Sequence, residues 1–238
     1  MAKVGIDCLS SSVTQSRMSE FVDRFFKGRV DSFLLPKKGE TVLSPPAGYV
    51  GIYLKSFYSC NVRFPFSSFF LNVLKYYGRH VSLMHPQGHS KIMAFEIMCR
   101  AYGGEPTVEL FRRFATICDA GEWVTIANRA KGAGCFLKGG VDIRNWKKEF
   151  VFMSVGLFPG DCELLINPER LRIESTALDP LPEDEDDSFL FDKISRNHFI
   201  VWSFPDSVLF KAGVIGELPV GEEDLDGKIN LVVFLFCI

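Results

Sequence analysis

No two of the seven cysteines lie closer than 17 residues, and the chain has no CxxC pair. That excludes zinc knuckles and thioredoxin-type redox motifs, both of which need close-set thiols. The thiols at 8, 60, 99, 118, 135, 162 and 237 sit mostly among apolar neighbours. They read as buried and reduced, the state expected inside a cell. Long hydrophobic runs are missing too: the longest, Leu231 to Ile238, has eight residues, whereas a membrane helix needs roughly 20. The amino terminus Met-Ala-Lys-Val-Gly-Ile-Asp lacks a signal-peptide h-region. These absences predict a soluble, intracellular protein with no membrane partner. No repeat recurs at the roughly 20–50-residue periods of solenoids. Net charge is almost absent at −2, which by itself argues against a nucleic-acid partner.

What is present changes that last point. Residues 1–150 carry 21 Lys+Arg against 12 Asp+Glu, a net +9, and residues 151–238 carry 6 against 17, a net −11. The chain is 47% hydrophobic with 23 Phe, which excludes a disordered chain and is ample for a buried core.

Met18, Phe21, Val22, Phe25 and Phe26 predict a helix over 16–27, capped by Ser16 and closed by Gly28. Pro45-Pro46 breaks the connector 36–48. Tyr49 to Phe57 reads as extended. Phe66, Phe69, Phe70, Val73, Leu74 and Tyr77 form the strongest helical stripe, over 66–77. His80 to Met84 reads as extended and Pro86-Gln87-Gly88 as a turn. A third helix is expected from Ser90 to Tyr102. A fourth opens at Glu105-Pro106-Thr107 and continues through Cys118 to Gly121. The period then shifts to two, predicting strands over Trp123–Asn128 and Phe150–Val155. A basic Gly-rich loop and a short helix around Trp146 lie between them. Residues 174–188, with five consecutive acids from Glu183 to Asp187, read as a solvated loop.

The expected architecture is a single α+β domain with about four amphipathic helices packed on a small, mostly antiparallel sheet. Its divisions are an N-terminal tail 1–15, a core 16–173, the acidic loop 174–188, and a C-terminal segment 189–238 packing on the core.

Motifs for chemistry are thin. Gly88-His89-Ser90-Lys91-Ile92 is half of a GxSxG elbow with Ile where the last Gly belongs, so Ser90 reads as a helix cap. His80, His85 and His89 lie close in sequence, but Pro86 and Gly88 argue against one helix face holding His85 and His89. They read as loop or packing residues. Gly132 to Gly140 fits neither GxGxxG nor the Walker pattern, so it reads as a connector, although Lys131 and Lys138 could approach phosphate. A two-metal nuclease needs converging acids, and nothing selects Asp119, Asp142 and Glu149 for that task. No catalytic residue, metal site, cofactor or small-molecule substrate emerges.

One feature has chemical content. Arg112, Arg113, Arg129, Lys131, Lys138, Arg144, Lys147 and Lys148 fall within 37 residues, interleaved with Trp123, Phe136 and Trp146. Cations for phosphates and rings for bases are the composition of a single-stranded nucleic-acid groove. The competing reading is a solvated face whose rings are core.

A family resemblance rests on an ordered string of segments. It runs from Pro45-Pro46-Ala47-Gly48-Tyr49 through Arg63-Phe64-Pro65-Phe66 and His85-Pro86-Gln87-Gly88. It continues with Phe95-Glu96-Ile97-Met98-Cys99-Arg100-Ala101-Tyr102-Gly103, Glu105-Pro106-Thr107-Val108-Glu109-Leu110-Phe111-Arg112 and Gly121-Glu122-Trp123-Val124-Thr125-Ile126. In this order the chain resembles the gypsy-type transposon domain of plant genomes, whose members carry a transposase label and accompany LTR retrotransposons. The resemblance covers roughly residues 15–160, and Trp202 to Leu209 resembles a later family segment. Gly216 to Ile238 departs from the pattern. That departure points to a truncated or mis-spliced reading frame, which sequencing the transcript across Lys228 tests.

The resemblance implies an origin and carries no catalytic residues across. It implies a non-catalytic, retrotransposon-derived binding protein, Gag-like or accessory, whose partner is single-stranded RNA or DNA or a second copy of itself. A nucleic-acid-processing enzyme and an inactive element copy are the alternatives.

Overall fold

The computed structural model describes residues 9–129, 137–138, 143–158, 160, 188–196 and 199–200. The acidic run and Gly216–Ile238 lie outside them, as do Phe136, Lys131, Asp142 and four of the seven cysteines. Among the described thiols, Cys60 and Cys99 are buried and Cys118 is half-buried.

Six α-helices and seven short strands are described: α1 Gln15–Phe26, β1 Phe33–Leu34, β2 Tyr49–Tyr53, α2 Leu54–Tyr58, α3 Ser68–Tyr76, α4 Pro86–Ala101, α5 Val108–Phe114, β3 Ala115–Ala120, β4 Trp123–Asn128, β5 Leu137–Lys138, β6 Phe150–Ser154, α6 Ser188–Arg196 and β7 Phe199–Ile200. This is the expected α+β class. β6 is the middle strand of an antiparallel sheet ordered β1-β6-β2, β3 and β4 form a separate antiparallel hairpin, and β5 pairs parallel with β7. Among the described residues no helix is long and apolar enough to cross a membrane.

β6 explains how the layers are stacked. Side chains alternate across a strand, and both faces of β6 are covered. Val151 and Met153 join the helical core with Val50 and Ile52, whereas Phe150 and Phe152 join a second cluster with Tyr53, Trp123 and Trp146. The Phe excess fills the first layer. Phe21, Phe26, Phe33 and Phe57 meet at ring distances of 4.6–6.2 Å, and Phe69, Phe95 and Phe111 meet at 5.2–5.9 Å. Each fully buried Phe contributes roughly 1.5–3 kcal/mol over exposure.

Several boundaries differ from the sequence reading. α1 buries all five expected residues, but Thr14, not Ser16, caps it, accepting from the Arg17 amide at 3.3 Å. Tyr49 to Phe57 is extended only to Tyr53, where α2 begins. Val81–Leu83 is a 3₁₀ turn and not extended chain. α4 starts at Pro86, four residues earlier than expected, because His85 supplies the cap and Pro86 occupies the first turn, where its missing N–H costs nothing. Gly88 lies inside this helix and lets it close on the hairpin: a Cβ there would sit 2.5 Å from the Met84 sulfur and 3.3 Å from the Ile126 amide nitrogen. α4 is buried on nearly every side, so it is a central core helix and not an amphipathic one. The fourth helix ends at Phe114, and Cys118 belongs to strand β3.

Candidate nucleic-acid interface

Trp146 organises one end of the basic region. Asn145 adopts the left-handed conformation at φ 63°, and the Trp146 and Glu149 amides bond back to Ile143 and Trp146 at 3.2 and 3.0 Å. This tight turn drives the Trp146 ring inward, where it is 5% exposed. It packs on Tyr53 at 4.7 Å, His85 at 4.8 Å and Trp123 at 5.2 Å. Trp123 donates its indole N–H to the Tyr53 hydroxyl at 3.0 Å. With Trp146 pinned beneath, Arg144, Asn145, Lys147 and Lys148 stand exposed. They line an open cleft of about 760 Å³ with Leu9, Ser12 and Glu149.

The N-terminal segment forms the cleft's other wall. The Ser12 amide and hydroxyl both donate to the Lys148 carbonyl, at 2.8 and 3.1 Å, and the Ser11 hydroxyl donates to Phe150 at 2.6 Å. The Lys147 ammonium lies 4.3 Å from the Trp123 ring centroid, a cation–π contact. Burial, and then the Lys147 charge, hold the His85 imidazole down at about 4, so it is neutral beside the cleft at pH 7.

Arg112, Arg113 and Arg129 form a second group, away from the first. Arg112 and Arg113 occupy the last turn of α5, where cations complement the helix dipole. Arg112 covers the Tyr76 ring at 4.6 Å, and Arg113 covers Phe191 at 3.9 Å. Arg129 joins them by donating its Nε–H to the Arg112 carbonyl and its amide to Phe114 at 2.8 Å. The two groups sit at opposite ends of β4, with Trp123 at one end and Arg129 following the other. Six residue steps at strand rise separate them by about 20 Å. Lys138 lies in β5.

The rings expected among these cations are placed differently. Trp123 and Trp146 are core. The surface ring is Tyr76, 47% exposed beside Arg112. The signal for it was present in the sequence: Tyr76 falls off the α3 stripe on which Tyr77 lies.

The histidines serve packing and capping. His85 caps α4 through Nδ1, and His80 Nδ1 accepts from the Ser82 amide at 3.0 Å. His89 is 2% exposed, with Nδ1 2.8 Å from the Ser56 hydroxyl and its ring against Phe70. Burial lowers its pKa to about 3. Ser90 donates its hydroxyl to Gln87 within α4 and is not a cap. Asp119 is exposed on β3 and Glu149 lines the cleft. Among the described residues no group of three His, Cys, Asp or Glu is arranged to hold a metal ion. Buried Glu96 instead accepts from Ser67 at 2.6 Å and Arg100 at 2.8 Å, and burial raises its pKa.

No curated protein and no solved structure matches the chain. A family model does, over a shorter span than the sequence resemblance. That span runs from the end of β2 through α2, α3, α4 and α5 into β3, so it takes in the helical core with Arg112 and Arg113 and stops short of the Trp146 turn. Residues 52–119 match the family described as "Putative gypsy type transposon", so the resemblance to the gypsy-type transposon domain holds over that stretch of the chain.

Proposed function

We propose that this protein is a non-catalytic, Gag-like or accessory protein that binds single-stranded RNA or DNA through its basic surface. The supporting observation is the open cleft of about 760 Å³ beside the exposed Arg144, Lys147 and Lys148. A buried Trp146 anchors the backbone of that turn, so binding need order only the side chains of the cations. Among the described residues that line the cleft, Glu149 is the only acid. Such a site would hold phosphates by charge, without sequence preference.

The test is a titration of the full chain with labelled single-stranded RNA and DNA at rising salt. Affinity should fall steeply between about 50 and 200 mM, as counterion release requires. Trp146 lines the cleft, so its fluorescence should change on binding. No binding at about 50 mM salt removes the proposal.

A further inference from the structure

The separation of the two basic groups carries more than their composition does. In the β3–β4 register, Thr116 faces Ala127, Cys118 faces Thr125 and Ala120 faces Trp123. Strand alternation puts these six residues on one side of the ribbon, with Arg129 continuing the same row. The opposite side faces the helical core, where buried Ile117, Val124 and Ile126 lie with Asp119 at its edge, while on the row itself Trp123 is buried in the second cluster. Thr116, Cys118, Thr125 and Ala127 are half-buried and uncharged. Lys147 stands over Trp123 at one end of this row. Arg129 stands at the other, bonded to Arg112, which lies over the half-exposed Tyr76 ring.

We infer that the ribbon carries two cationic stations, and that the ligand is a single nucleic-acid strand long enough to reach both. The first station is Arg144, Lys147 and Lys148; the second is Arg112, Arg113 and Arg129. This rests on the nucleic-acid reading above and adds a length requirement to it. The span of about 20 Å matches roughly six phosphates at the 3.4 Å spacing of a stacked strand. A dinucleotide or a free nucleotide meets one station only. A strand that bridges gains the second contact within the molecule, at high effective concentration. Tyr76 offers the second station a ring on which a base can stack.

The experiment is a length series of oligoadenylate and oligodeoxyadenylate, which keep the stacked spacing, from about two to about twelve nucleotides, titrated against the full chain at low salt. Affinity should rise gently for short strands and then step up by about 10²-fold or more once six or so phosphates are present. Replacing Lys147→Gln with Lys148→Gln, or Arg112→Gln alone, should abolish the step and leave short-strand binding at the other station. The wild-type series tests the step without any substitution. A smooth gain with length overturns the two-station inference, as does a long-strand affinity that ignores either variant. Binding by no strand of any length overturns the broader reading as well. A polyglutamate peptide showing the same step overturns the assignment to nucleic acid.

Discussion

His89 shows how a single residue ties the core to solution conditions. Its ring is enclosed by α4 and Phe70, Nδ1 meets Ser56, and Nε2 has no hydrogen-bond partner among the described residues. A proton on this ring would be stranded in apolar surroundings, which is why burial lowers the pKa from 6.5 to about 3. The unfolded chain takes up that proton near pH 6.5 and the folded chain does not. His89 therefore contributes full stability above pH 6.5, and the contribution is lost as pH falls toward 3. Between about pH 6 and 4 the slope from this one group is about 1.4 kcal/mol per pH unit. Glu96 runs the other way: its pKa is raised, so its share grows as pH falls and offsets part of the loss. His85, held at about 4, adds a slope of the same sign, so urea midpoints across this range should drop steadily for the wild type and about half as steeply for His89→Gln. Parallel profiles for the two proteins would show that the buried imidazole is not the source.

Elements were legible where one period ran its full length. The α1 stripe followed from spacing because that helix buries the face its pattern marks, and β4 and β6 followed from their run of β-branched and aromatic residues, β6 being buried on both faces. Boundaries failed where two patterns overlapped. Val108, Phe111 and Phe114 continue at helical spacing to Ile117 and Cys118, yet Ala115-Thr116-Ile117-Cys118 also alternates, and pairing with β4 decides in favour of strand. Pro86 and Gly88 read as a turn by local chemistry. Tertiary packing overrides this, since His85 caps the helix and Gly88 admits Met84. The candidate site was legible as composition but not as layout. Nothing in the spacing of Arg112, Arg129 and Lys147 says that the hairpin brings the first two together and holds both away from the third, or that both tryptophans turn inward. The α1 cap offers a compact test of the corrected boundary. Thr14→Ala should lower stability by about 1 kcal/mol, whereas Ser16→Ala should stay within about 0.5 kcal/mol. Urea unfolding at constant slope reads both, and the reverse order would restore Ser16 as the cap.

At the scale of the whole molecule, the family segment and the folding unit are different objects. Residues 52–119 contain α2 to α5 and most of β3. Their core is completed from outside on three sides. β6 pairs with β2 up to Tyr53, and the Leu54 amide bonds to Glu149 at 2.9 Å. From α1, Phe21 and Phe25 pack on Phe57 at 5.2 and 5.6 Å. On the remaining side β4 pairs along β3, and α6 brings Leu190 against Gly104 and Phe191 against Phe114 at 4.8 Å. Cutting at 52 and 119 exposes all of these faces at once and leaves β3 without its ladder. A chain of this length is marginal even with an intact core. The excised 52–119 fragment should therefore show no cooperative urea transition and poor amide dispersion by NMR, while the full chain unfolds cooperatively. A fragment that melts sharply on its own would mean that the helical core is self-sufficient. In that case the flanking sheet, with the Trp146 turn and its cations, would be an addition to a finished domain and not part of the fold that the family segment needs.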